Sequence, residues 1–290
     1  MIWFDKCNPF PVLIYYVAVT ALSAVFNNPY YTAALLVSAV AAFVMCRGRL
    51  RAALSFCVVF LLTFIVNPIL SKKGATPLLF FGDSPVTLEA IVYGLNSAAL
   101  ITAVMFLFYV FTKTVDSEKL LYLLSPFSAA AAMTVSAVLR FAPLYVRQSK
   151  VISDQQKALG FQGGQSIPAR LKSGARVFSA LSTWALENGI TAADSMACRG
   201  YGTGKRSFYS FFPFKPSDRV FIAAELLLTA LCAVPAIIAD CAFNYYPNIE
   251  PPAVSVWLII SFTAFSLLSF LPVIFEITDR IKWKYLLQKI

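Results

Sequence analysis

The chain contains no histidine. That excludes Ser-His-Asp and Cys-His catalysis and removes the commonest metal ligand. Charge is also scarce. Only 13% of the 290 residues are Asp, Glu, Lys or Arg, against about a quarter in soluble domains. The six cysteines (Cys7, Cys46, Cys57, Cys198, Cys232 and Cys241) show no C-x-x-C spacing and sit mostly in or beside apolar runs. They read as small hydrophobes rather than a disulfide or zinc framework. No G-x-x-x-x-G-K-[ST] loop occurs, so the chain lacks the usual phosphate cradle for ATP. The N-terminus lacks a basic stretch and a small-residue cleavage site, so the first apolar run is expected to remain as an anchor.

What the chain has in excess is hydrophobic residues, 59% of the total. They form continuous runs rather than alternating ones, which indicates membrane helices and not a barrel. The runs are Pro11 to Phe26, Tyr30 to Cys46, Ala52 to Leu70, Thr87 to Phe111, Arg219 to Ala239 and Ala253 to Phe275. Asn67-Pro68 is expected to kink or stop the third run. Ser71 to Pro85 reads as a polar loop with glycine and proline. The expected fold is an all-α integral membrane protein with about six membrane helices and two crossed helices outside them. Its expected divisions are 1–113, 114–216 and 217–290.

Net charge is +10, and its distribution sets the expected orientation. Arg47, Arg49 and Arg51 crowd the loop after the second run. With both termini in the cytoplasm, the external loops hold only Lys72 and Lys73 of the 24 basic residues. The segment Thr114 to Pro216 then lies inside with twelve basic and five acidic residues, as the positive-inside rule requires. Those charges are spread thinly, which argues against a nucleic-acid surface.

That polar segment is the unusual part of the chain. From Leu171 to Tyr201 apolar residues recur at steps of three or four, giving an amphipathic helix with an expected bend or split at Gly189. Gln148 to Leu159 supplies a second helix, and small residues such as Ser173, Gly174, Ser179 and Ser182 let the two cross closely. Gly163-Gly164 and Pro168 break the chain between them and are expected to bring both helix ends to the same side. Each helix ends in glycine, at Lys157-Ala158-Leu159-Gly160 and at Ala197-Cys198-Arg199-Gly200. A helix-end arginine before glycine is an ordinary stop, and an exposed one is equally a reader of partner carboxylates. A competing reading makes the chain an intramembrane enzyme built on Glu225, Asp240 and Glu276. Intramembrane carboxylates are functional suspects, but near run ends these three are expected to be solvated.

Several ordered stretches resemble the transmembrane T component of energy-coupling factor (ECF) transporters, the family that includes the cobalt-transporter membrane subunit. They are Asn8-Pro9, Thr87-Leu88-Glu89-Ala90-Ile91-Val92-Tyr93-Gly94, Leu121 to Pro126, Leu139 to Leu144, Asp154 to Gly160 and Ala193 to Tyr201. The resemblance covers about residues 8 to 240. It implies a bacterial or archaeal cell-membrane protein that is not an enzyme and binds no cofactor itself. It also implies two ATP-binding-cassette (ABC) ATPase partners, which bind ATP and magnesium, and a separate substrate-binding membrane subunit for a vitamin or other micronutrient. In that family two coupling helices each end in Ala-Arg-Gly and dock on the ATPases. The implied docking residues are Lys157, Ala158, Leu159 and Gly160 at one tip and Ala197, Cys198, Arg199 and Gly200 at the other. Leu159 stands where the family has arginine, and Ala197 lies one place early.

Overall fold

The computed structural model describes residues 7–71, 74–81, 84–126, 128–161, 166–204, 212, 214–238, 243–247, 249, 251–252 and 255–287. The chain divides into two compact units. One joins Met1–Leu120 to Phe212–Ile290, and the other is Leu121–Phe211.

The first unit holds six long apolar helices among the described residues: α1 (Pro9–Phe26), α2 (Pro29–Met45), α3 (Leu50–Leu70), α4 (Leu88–Thr114), α8 (Pro216–Ile238) and α9 (Val256–Leu287). Helices α1, α3, α4 and α9 are long and apolar enough to cross a membrane, and α2 is a shorter apolar helix. The short helix α5 (Ser117–Leu124) follows α4, and the strands β1 (Pro77–Phe81) and β2 (Ser84–Thr87) precede it. The all-α membrane fold is thus present, with one addition. The expected polar loop after α3 folds into an antiparallel β1–β2 pair, because Leu78 to Phe81 is an apolar run of strand length.

Local chemistry sets the helix starts. Asn8 and Asn28 each cap a helix whose first residue is proline, accepting from Phe10 N at 3.1 Å and Tyr30 N at 3.2 Å. Proline has no N–H to leave unpaired at that position and already has helical φ. Asn27 closes α1 in the left-handed conformation at φ 35°, which asparagine tolerates better than most residues. Helix α3 does not stop at Asn67-Pro68 but runs two residues past the proline, to Leu70. Proline in the last turn sacrifices one hydrogen bond, which is cheaper there than in the interior.

Packing follows a definite order: α3 lies on α4, α2 on α4 and α9, and α8 on α9 and α1. At the α3–α4 contact, a Cβ on Gly94 would stand 3.1 Å from Pro68. Helix α3 otherwise exposes apolar residues around most of its surface, including Leu54, Val58, Leu61, Leu62 and Ile65, as a lipid-facing helix does. The core holds Tyr15, Tyr31, Leu35, Phe221, Phe265 and Leu268, all fully buried. Phe26 stacks on Tyr31 at 4.6 Å. The two tyrosine hydroxyls donate across helices, Tyr31 to Ser261 Oγ and Tyr15 to the Ser269 carbonyl, each at 3.0 Å. Such bonds hold membrane helices together where the hydrophobic effect cannot.

At one end of this unit the start of α1 is tied to the start of α8, and α5 to the end of α4. Asn8 Nδ2 donates to the Phe212 carbonyl at 3.0 Å, and the buried Asp218 carboxylate accepts from Lys215 N at 3.1 Å. The Lys119 ammonium, also buried, donates to the Thr114 carbonyl at 2.8 Å. Burial first, and the neighbouring Asp218 charge second, push the Cys7 thiol far above its ordinary range. It therefore stays a neutral thiol.

Candidate functional site: the paired helix tips

The second unit is built on α6 (Ala129–Ala158) and α7 (Ile167–Cys198). Ser128 Oγ caps α6 by accepting from Ala131 N at 3.2 Å. The apolar stretch before Arg147 and the polar stretch after it form one continuous 30-residue helix, with Pro143 inside. Helix α7 begins with Pro168 in its first turn and is not split at Gly189. One glycine costs about 1 kcal/mol in a helix interior, too little to interrupt 32 helical residues. Gly163 and Gly164 lie outside the described residues.

Three contacts fix how the two helices pair. The Arg176 guanidinium sits 5.1 Å from the Phe161 ring centre, Tyr145 meets Trp184 edge to face at 5.9 Å, and Tyr201 donates to Met133 Sδ at 2.6 Å. As one position rises in sequence the other falls, so α6 and α7 are antiparallel. A short connection between long helices imposes this arrangement. The helix ends at Gly160 and Gly200 are therefore not on the same side, as expected from sequence, but at opposite ends of the pair. At 1.5 Å per residue they stand about 45 Å apart.

The two ends are built alike. Gly160 and Gly200 have φ of 77° and 78°. Gly160 N donates to the Lys157 carbonyl and Phe161 N to that of Gln156; Gly200 N donates to the Ala197 carbonyl and Tyr201 N to that of Met196, all at 3.0 Å. This is the six-to-one closure that ends helices at glycine. Residue for residue, Leu159 matches Arg199, Ala158 matches Cys198 and Lys157 matches Ala197. All eight residues expected at the tips are exposed. Leu159 is 71% exposed, so an apolar side chain lies uncovered where the other tip carries a guanidinium. Lys157 pairs with Asp154 of its own helix at 3.1 Å, an exposed bridge worth about 0–1 kcal/mol. Arg199 makes no ion pair among the described residues. Phe161 and Tyr201, one residue past each glycine, are further tip residues that residue-type reasoning passed over. The available signal was their identical spacing from the two glycines.

The candidate carboxylates are placed differently from expectation. Glu225 and Glu276 are fully buried, not solvated, because α8 and α9 turn those faces toward each other and toward α1 and α2. Arg280 neutralises Glu276 at 3.0 Å and also donates to the Met45 carbonyl at 3.2 Å. Asp240 lies outside the described residues. No group of three or more His, Cys, Asp or Glu among the described residues is placed to hold a metal ion.

A family model for CbiQ, the cobalt transport protein family, matches residues 3–210. The chain belongs to the CbiQ family. The match includes α1 to α4 and both tips, and it ends before α8 and α9. This CbiQ-family chain is accordingly a multi-pass membrane component of a transporter. No curated protein matches it.

Proposed function

We propose that the chain is the transmembrane scaffold subunit of an ECF-type ABC transporter. It couples ATP hydrolysis by two partner ATPases to uptake of a vitamin or other micronutrient through a separate substrate-binding membrane subunit. ATP and magnesium belong to the ATPases, and the chain itself performs no catalysis. The observation that carries this reading is the pair of like-built tips at opposite ends of α6 and α7. A span of about 45 Å suits two separate protein subunits, one per tip. Arg199 presents a charge with planar, forked geometry to a carboxylate on one of them. Leu159 presents an apolar side chain to the other.

The orientation in this reading places both termini, the Arg47 to Arg51 loop and the α6–α7 unit in the cytoplasm. The alternative, an intramembrane enzyme, draws less support. Acid–base catalysis needs both groups within reach of one substrate. Glu276 lies about 10 Å along α9 from the level of Glu225 and is already held by Arg280.

The deciding experiment is Arg199→Glu in cells that express the whole transporter. One ATPase is expected to be lost on purification and uptake abolished, with the chain still in the membrane. Full ATPase retention with normal uptake overturns the docking assignment.

A further inference from the structure

Glu225 lies beyond the family match and apart from the tips. Helices α8 and α9 pair in opposite directions. Phe221 meets Phe275 with ring centres 5.4 Å apart, and Cys232 Sγ lies 3.8 Å from Ser261 Oγ. Interpolation between those levels places Glu225 opposite Ser269 to Leu271. Unsatisfied polar groups concentrate there. Both carboxyl oxygens of Glu225, Thr229 Oγ1 one turn along α8 and Ser269 Oγ on α9 are buried without a protein hydrogen-bond partner among the described residues. Pro272 adds a fifth group, because it has no N–H to give the Leu268 carbonyl one turn earlier. Tyr15 enters from α1, with its hydroxyl on the Ser269 carbonyl and within electrostatic reach of Glu225.

Among the described residues no cation answers this carboxyl. Helix α1 has no charged residue, and its titratable groups are Tyr15 and Tyr16. On α9 the nearest ionisable side chain toward the charged end is Glu276, already paired with Arg280. Arg219 on α8 is exposed. An ionised carboxylate in such surroundings costs far more than the neutral acid. A buried water needs two to four polar partners, and the groups at this level supply them.

We propose that Glu225, Thr229 and Ser269 form a buried proton-and-water site between α1, α8 and α9. Glu225 is held there as the neutral carboxylic acid. Water links its O–H to Thr229, to Ser269 and to the Leu268 carbonyl that Pro272 leaves free. The site ties α8 to α9 at the level where the backbone ladder of α9 is interrupted.

Infrared spectroscopy of the full chain in lipid nanodiscs tests this, by comparison of the native protein with Glu225→Gln. The native protein is expected to show the C=O band of a protonated acid at neutral pH, shifted in D2O and missing from the variant. Thr229→Val and Ser269→Ala are each expected to move that band toward a more weakly hydrogen-bonded position. Loss of an ionised-carboxylate band in the variant, with no change in the acid region, overturns the proton assignment. An acid band unmoved by both hydroxyl substitutions overturns the water network. Thermal unfolding gives a second check, because Glu225→Gln is a neutral near-isostere. The unfolding temperature is expected to stay within a few degrees in sodium, potassium or choline chloride. Stabilisation of the native protein by sodium or potassium that vanishes in Glu225→Gln identifies a metal-cation site and overturns the proposal.

Discussion

At the residue scale the two tips differ at all three matched places, and the positive charge shifts from Lys157 in one to Arg199 in the other. Leu159 and Arg199 occupy matching places in two identical backbone closures. If each tip has its own partner, the partners receive different chemistry. Leu159→Glu is expected to release one ATPase and leave the other bound, the complement of the Arg199→Glu result; co-purification in each variant checks the pairing. Gly160→Ala and Gly200→Ala each force alanine into the left-handed region, at about 1–2 kcal/mol. That loss is local. It is expected to appear as faster amide exchange in the last turn of the affected helix, with global unfolding unchanged. Arg199 and both glycines were legible in the sequence because helix termination depends on neighbours within six residues. The roles of Phe161 and Tyr201 were not, because their contacts, Arg176 and Met133, are distant in sequence and depend on how α6 pairs with α7. Glu225 misled for the same reason. Position in an apolar run does not reveal which face of a helix is covered.

At the element scale, close approach decides the membrane unit. Helix α3 meets its neighbour α4 where Gly94 faces Pro68. Gly94→Leu is expected to destabilise the protein by about 1–3 kcal/mol through overpacking, seen as a lower unfolding temperature in detergent. The strand pair that leads into α4 is held by a similar fit. Gly74, at φ 137°, leaves no room for a Cβ against Thr87 and Glu89, and Glu89 accepts from Thr76 Oγ1 at 2.8 Å. At the other end of the unit, Asn8→Ala removes both the α1 cap and the bond to Phe212. A loss of about 1–2 kcal/mol is expected, measured by thermal unfolding. The apolar runs made the long helices readable, since about 20 apolar residues specify a span regardless of neighbours. The strand pair was hidden by the glycines and prolines around it, and the continuity of α6 was hidden by Pro143.

At the scale of the whole molecule, the cysteines offer a test of orientation. Cys198 is exposed at a tip, while Cys7 and Cys232 are buried. Cys57 is exposed only on α3, the lipid-facing helix. In a variant that keeps Cys198 as its sole cysteine, a membrane-impermeant maleimide is expected to label inside-out vesicles and not right-side-out ones. Labelling from the opposite side reverses the proposed topology.

The edge-to-face contact of Tyr145 with Trp184 falls near the midpoint of both α6 and α7. Two rods touching at their centres behave as scissors. Each tip lies about 24 Å from that pivot, so a rotation of about 10° carries it through about 4 Å. Among the described residues, a cation–π contact at one tip and an O–H···S bond at the other join each tip to the opposite blade, each worth about 1 kcal/mol. Whatever draws the two tips together therefore also changes the angle between the helices.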